Sequence, residues 1–376
     1  MDALRGAMRY ALFLAILFLA PAPAFAQLRI GIAGPLSGPD AVFGQQIRDG
    51  VLQAIADINA SGGILGQRAV PVLGDDQGNP QRATDTASKF ARDKIPVVIG
   101  PFSSSAALPA SVIYGGAGIL EIIPAATSPR LTEQGIGTLF RLSGRDDQQS
   151  QVAARYILDH HLTKIAILHD RTAGGKALAD ALRAALKASG VTEVLYDGID
   201  KGAKDLGPLT ARVIASGAEL AFWGGTQTEA GLLARQLHGS GAHVTLMGGT
   251  GMASDEFATL AGAGAEGTLM VFPPDPRERP EAAALLQSLS AKGIDPGAYS
   301  FYAYAAVEIL RQAAGAAKSL DPATLAGTIH SGMVFKTVLG PLSFDAKGDR
   351  TAPDYDIFVW RKGRNGRMSY ENAGRS

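Results

Sequence analysis

The chain has 376 residues, no cysteine, 46% hydrophobic and 19% charged residues, and 35 basic residues against 35 acidic ones. That length points to about two domains, and the composition excludes a chain that is disordered throughout. A balanced charge argues against a nucleic-acid surface, which needs a basic face to neutralise phosphates, and without cysteine no disulfide staples the fold.

Residues 1–26 read apart from the rest. Arg5 and Arg9 supply a positive start, Tyr10 to Ala20 is an unbroken apolar run, and Ala24-Phe25-Ala26 matches a small-x-small cleavage pattern before Gln27. We expect a cleaved secretory signal peptide, because the apolar core is shorter than the roughly 20 residues of a membrane span. No cysteine stands at the cleavage point, so the mature protein is expected free in the periplasm rather than lipid-anchored. Without the leader's Asp2, Arg5 and Arg9 the charge stays balanced, at 33 basic and 34 acidic residues.

From Leu28 to Pro35 the sequence predicts a strand, and Ile47, Val51, Ile55 and Ile58 then recur at helical spacing until Ser61-Gly62-Gly63 stops the helix. Val70 to Leu73 and Pro96 to Ile99 are the next strands, with a helix over Arg82 to Phe90 between them. Alternating strands and helices predict a parallel sheet with helices on both faces. After Gly144 a second series begins, with strands at Lys164 to Leu168, Glu193 to Tyr196, Glu219 to Trp223, Val244 to Met247 and Thr268 to Val271, separated by helical stretches. The fold class is therefore α/β with two lobes. Phe272 to Pro280 carries four prolines and reads as a connector. Helices over Glu281 to Ala291, Tyr299 to Ala316 and Pro322 to Ser331 follow it, and a β-like part from Leu342 to Trp360 closes the series. These late helices have no strand series of their own and are expected to return to an earlier lobe.

Two Ser/Thr stretches, Gly100 to Ser111 (GPFSSSAALPAS) and Ile122 to Leu131 (IIPAATSPRL), each follow an apolar strand. The first opens a helix, whose leading N–H groups have no intrahelical partner and whose dipole favours negative charge. The chemistry is that of an anion cradle, although serine is also a favoured N-cap and helix capping alone accounts for Ser103 to Ser105 equally well. The six histidines show no metal-ligand spacing, and Gly31, Gly34 and Gly38 do not form a dinucleotide-binding turn. No serine is paired with a histidine at a motif spacing, so no catalytic residue, cofactor or metal is expected.

Several stretches together resemble the leucine/isoleucine/valine-binding protein family, type I periplasmic solute-binding proteins of ABC transporters. They are IAGPLSGPDAVFGQQIRDGVLQAIADINASGGILG, Ser103-Ser104-Ser105, PAAT at Pro124 to Thr127, His169-Asp170, and GPLSFDAKGD at Gly340 to Asp349. The resemblance implies a Venus-flytrap fold of two Rossmann-like lobes with parallel sheets, joined by three crossovers near Gly144, Pro273 and Lys336 to Gly340. Its boundaries would be a first lobe over 27–144 plus 274–337, a second over 145–273 plus 338–366, and a tail over 367–376. It also implies a carboxylate or amino acid ligand, a membrane permease as partner, no enzymatic activity, and action as a monomer.

By the same resemblance, Ser104 and Thr127 would hold the ligand's carboxylate, with Phe102, Ser103 and Ala125 in the same cradle. Phe43 and Tyr299 would stand beside the ligand, though single aromatics commonly fill cores. Closure would bring Trp223, Thr226 and Thr250 against its other end. Three positions depart from the family pattern: Gly174 and Thr226 replace aromatics, and Thr250 replaces the glutamate that binds the ligand's ammonium. Either another acid substitutes, Glu229 or Asp255 being nearest in sequence, or the ligand has no ammonium, since a buried charge without a partner is costly. Two aromatic-to-small changes predict a larger cleft and a carboxylate larger than leucine, such as an aromatic acid. The alternatives are a ligand-sensing domain acting on a separate receptor and, behind it, an α/β enzyme.

Overall fold

The computed structural model describes residues 27–352, 355–363 and 366–374. The expected leader over residues 1–26 lies outside them. In the first lobe, β1 (Gln27–Gly34), β2 (Arg68–Asp75), β3 (Val97–Ile99), β4 (Leu120–Ile123) and β5 (Leu139–Arg141) form a parallel sheet ordered β2-β1-β3-β4-β5. Helices α1 (Ala41–Ala60), α2 (Pro80–Arg92) and α3 (Ser104–Gly116), and the short α4 (Arg130–Glu133), connect these strands. Because helices cover both faces, the strands read as apolar runs without polar alternation. Ile30, Ile32, Val97 and Ile99 face one core, while Ala33 and Val98 face the other.

The second lobe repeats that strand order. Its strands β6 (Ile165–His169), β7 (Leu195–Gly198), β8 (Leu220–Gly224), β9 (Thr245–Gly248) and β10 (Leu269–Phe272) lie parallel as β7-β6-β8-β9-β10. Helices α5 (Asp146–Asp159), α6 (Ala173–Ala188), α7 (Gly207–Ala215), α8 (Gln227–Gly239) and α9 (Asp255–Ala261) alternate with them. Leu220 and Phe222 pack under one face of β8, and Ala221 and Trp223 under the other.

The late helices α10 (Ala283–Ser290), α11 (Ala298–Ala317) and α12 (Pro322–His330) pack into the first lobe, where Phe301, Leu310 and Leu325 join the core beneath β1 and β3. Helix α11 lies along α1. Gly50 permits that approach, since a Cβ there would sit 2.1 Å from the Ser300 carbonyl oxygen.

Two expected boundaries differ from the observed packing. The hairpin of β11 (Phe335–Thr337) and β12 (Gly340–Leu342) is not part of the second lobe. Its Phe335, Val338, Leu339 and Leu342, with the following Phe344, lie in the first-lobe core, and Phe344 packs edge-on against Phe140 at 5.4 Å. The third crossover therefore falls beyond Phe344, before β13 (Asp356–Lys362) pairs antiparallel with β10. The expected tail over 367–376 instead contains β14 (Met368–Asn372), which pairs antiparallel with β13 as the sheet's edge. Tyr370 supplies the anchoring contact, its ring 5.1 Å from that of the buried Trp360.

Candidate ligand-binding site

In each lobe the strand order turns at its first strand, so the loops after β1 and β3, and after β6 and β8, diverge and leave a crevice at the carboxyl ends of the strands. The two crevices face each other and enclose a cavity of about 80 Å³. From the first lobe it is lined by Phe102, Ser103, Ser104, Ser105, Ala125, Thr127 and Tyr299, and at the first crossover by Asp146, the first residue of α5. Gly174, Thr226 and Thr250 line it from the second.

The two Ser/Thr stretches meet at one atom. Ser104 Oγ accepts the backbone N–H groups of Thr127 (3.3 Å) and Ser128 (3.1 Å), tying the loop after β4 to the start of α3. A hydroxyl has two acceptor lone pairs and one proton. With both lone pairs engaged, Ser104 keeps its proton for an acceptor in the cavity. Ser103 is the N-cap of α3, its Oγ accepting from Ala106 N at 3.4 Å, so capping and cavity lining coexist in the same three serines.

Asp146 stands beside this cradle. Its backbone N–H donates to the Thr127 carbonyl (2.9 Å), Gln149 donates to Oδ1 (3.3 Å), and Oδ2 is buried without a hydrogen-bond donor among the described residues. Burial pushes its carboxyl up to about 6, against the lowering effect of the Thr127 side chain and the Arg141 charge. Across the cleft Asp170 also lines the cavity; burial raises its carboxyl above the usual range, against the lowering effect of hydrogen bonds from the Thr172 N–H (3.0 Å) and Oγ1 (2.6 Å). Helices α3, α6 and α8 all begin at the cavity, Thr226 being the residue before α8. The site thus combines positive helix ends with two buried carboxyl groups.

A sequence profile of the periplasmic binding protein family matches residues 27–365. The Leu/Ile/Val-binding protein homolog 1 of Brucella suis is 44% identical, the match covering 92% of this chain and 94% of that protein. The chain belongs to the leucine/isoleucine/valine-binding protein family. An amino acid binding protein of Pseudomonas aeruginosa is 42% identical, over 90% of this chain and 91% of that one. The ABC transporter substrate-binding protein of Desulfitobacterium hafniense, solved in complex with Leu, superposes with a TM-score of 0.75 at 28% identity, covering 92% of this chain and all of that one. The architecture is the type I Venus flytrap of these periplasmic binding proteins.

Against that family's pattern the structure places nine of the ten expected site residues at the cavity and leaves Phe43 out. Phe43 is fully buried behind it, stacked on Phe102 at 4.4 Å and edge-on to Tyr299 at 5.6 Å, so it supports the two rings that do line the site. Trp223 is likewise a core residue, its Nε1 donating to the Thr226 carbonyl at 3.2 Å. The acids nearest in sequence to Thr250 do not replace the family glutamate. Glu229 is buried away from the cavity, accepting from Gly202 N at 2.7 Å, and Asp255 is a surface residue facing Arg367. Asp146 and Asp170 are the acids that line it. Asp170 belongs to the His169-Asp170 motif, which was a readable signal; Asp146 opens α5 in a run of polar residues that marks it only as a helix start.

Nor does Gly174 open the cleft. A Cβ on Gly174 would lie 3.2 Å from that of Ser104, so the space left by the missing aromatic is taken by the approach of α6 to α3. The lobes touch elsewhere too: Tyr299 OH donates to the Thr250 carbonyl at 3.2 Å, and Gln227 Nε2 to the Pro39 carbonyl at 3.3 Å.

Proposed function

We propose that this protein is the periplasmic solute-binding component of an ABC transporter and carries an α-amino acid to a membrane permease. One observation supports this reading above the others: the Ser104 hydroxyl at the start of α3 and the Asp146 carboxyl with its unpartnered Oδ2 line one cavity. The first is a donor for a carboxylate and the second an acceptor for an ammonium. Thr127 lies between them, in contact with both. The names of the Brucella suis and Pseudomonas aeruginosa relatives agree with an amino acid ligand.

This reading is preferred to the larger aromatic acid expected from Gly174 and Thr226, because Asp146 and Asp170 line the cavity beside the serine cradle and an aromatic carboxylate carries no cation to meet them. Closure is a hinge motion stabilised by the ligand's better contacts in the closed state. Export through the leader over residues 1–26 and action as a monomer belong to the same proposal.

Calorimetric titration of a panel of amino acids and aromatic carboxylates tests the reading. Amino acids should bind, and Ser104→Ala or Thr127→Ala should each weaken them by about 1.5–3 kcal/mol, the value of a hydrogen bond to a charged group. Full affinity in the double variant, or binding of the aromatic acids alone, would sink the proposal.

A further inference from the structure

The cavity shares Ser105, Thr172 and Lys201 with a second, larger groove between the lobes, of about 730 Å³. Lys201 stands between the two. It follows β7 on the second lobe, where its backbone N–H donates to the Asp170 carbonyl at 3.1 Å and so anchors it at the cavity edge. Its ammonium crosses the cleft to pair with the Asp40 carboxylate at the start of α1. The Asp40 side chain is only 2% exposed, and its other oxygen accepts from Thr226 Oγ1 at 3.4 Å. A charge pair with one partner so deeply buried is held by hydrogen bonds rather than screened by water. The pair therefore closes the opening through which cavity and groove would otherwise be continuous.

We infer that Lys201 is a specificity-determining residue. Paired with Asp40, it walls the cavity off from the groove and limits the ligand to an amino acid whose side chain ends short of that groove. The inference rests on the amino-acid reading given above. The groove beyond is large enough for a longer side chain, so the limit is set by Lys201 and not by a shortage of space between the lobes.

The test is the ratio of dissociation constants for phenylalanine and arginine to those for valine and leucine, measured by calorimetry on the full chain. The native protein should favour the short side chains. Lys201→Ala, which removes both stem and charge, should shift the ratio at least tenfold towards the long ones. Lys201→Met keeps the stem but loses the pair with Asp40; it should shift the ratio in the same direction by less, and a Lys201→Met shift larger than that of Lys201→Ala would overturn the inference. A native protein that binds phenylalanine or arginine as well as valine, or a Lys201→Ala ratio equal to the native one, overturns the inference and leaves the amino-acid reading standing. Failure of every amino acid to bind the native protein overturns both.

Discussion

Asp146 shows how a single residue gains a role from its surroundings. Its carboxyl is raised to about 6 by burial, from an ordinary value of 3.8, so the folded protein holds a proton there that a free aspartate has lost. An ammonium ligand needs the ionised form. Affinity should therefore be full above pH 6 and fall as the pH drops through it, by up to about tenfold per unit. Titrations at pH 5 and pH 7 check this, with Asp146→Asn expected to bind weakly at both and to lose the dependence. An unchanged affinity between the two would mean that the ammonium is held elsewhere. Ser104 and Thr127 were legible beforehand because they lie in a short motif after a strand, whereas Asp146 lies 19 positions beyond Thr127 and reaches the site only through the first crossover.

At the scale of elements, most strands and helices were readable because both sheets are buried on two faces and their helices carry regular apolar spacing. The exceptions have local causes. Strand β5 is three residues long and ends in the fully buried Arg141, a residue type that argues against a core strand until its partner is known. Strand β12 enters the first-lobe core with β11 rather than the second lobe expected from residue 338 onward, because its apolar residues do not state which core they enter. The contact of α6 with α3 leads to a further expectation. Gly174→Val would place new atoms against Ser104 and hold the two helix ends apart. Overpacking of this kind costs roughly 1–3 kcal/mol, so ligand affinity should drop about five- to a hundredfold. Calorimetry combined with thermal unfolding checks it: a melting temperature near the native one with lost affinity fits, and native affinity would show that the close contact is not needed for binding.

The whole molecule depends on how its crossovers are pinned. Asp349, on the stretch leading into the third crossover, accepts from Arg141 Nε at 2.8 Å, from Thr132 Oγ1 at 2.9 Å and from Arg145 at 3.2 Å. Arg141 ends the first-lobe sheet and Arg145 lies in the first crossover, so one carboxylate joins two of the three connections between lobes. Removing one member of such a buried pair strands the other charge and costs about 3–5 kcal/mol. Asp349→Ala should accordingly lower the stability measured by urea unfolding by that order, and a loss below about 1 kcal/mol would show the network to be dispensable.

The sequence by itself determined the two α/β lobes, the family and the two Ser/Thr stretches that line the cavity. Those features rest on local periodicity and short motifs that keep their meaning in isolation. The rest of the candidate site was decided by tertiary structure. That Asp146 and Asp170 rather than Glu229 or Asp255 line the cavity, that Gly174 tightens the cleft, and that Lys201 reaches Asp40 over 161 positions all follow from the closing of one lobe on the other. Spacing along the chain carries no record of which side chains a hinge will bring face to face.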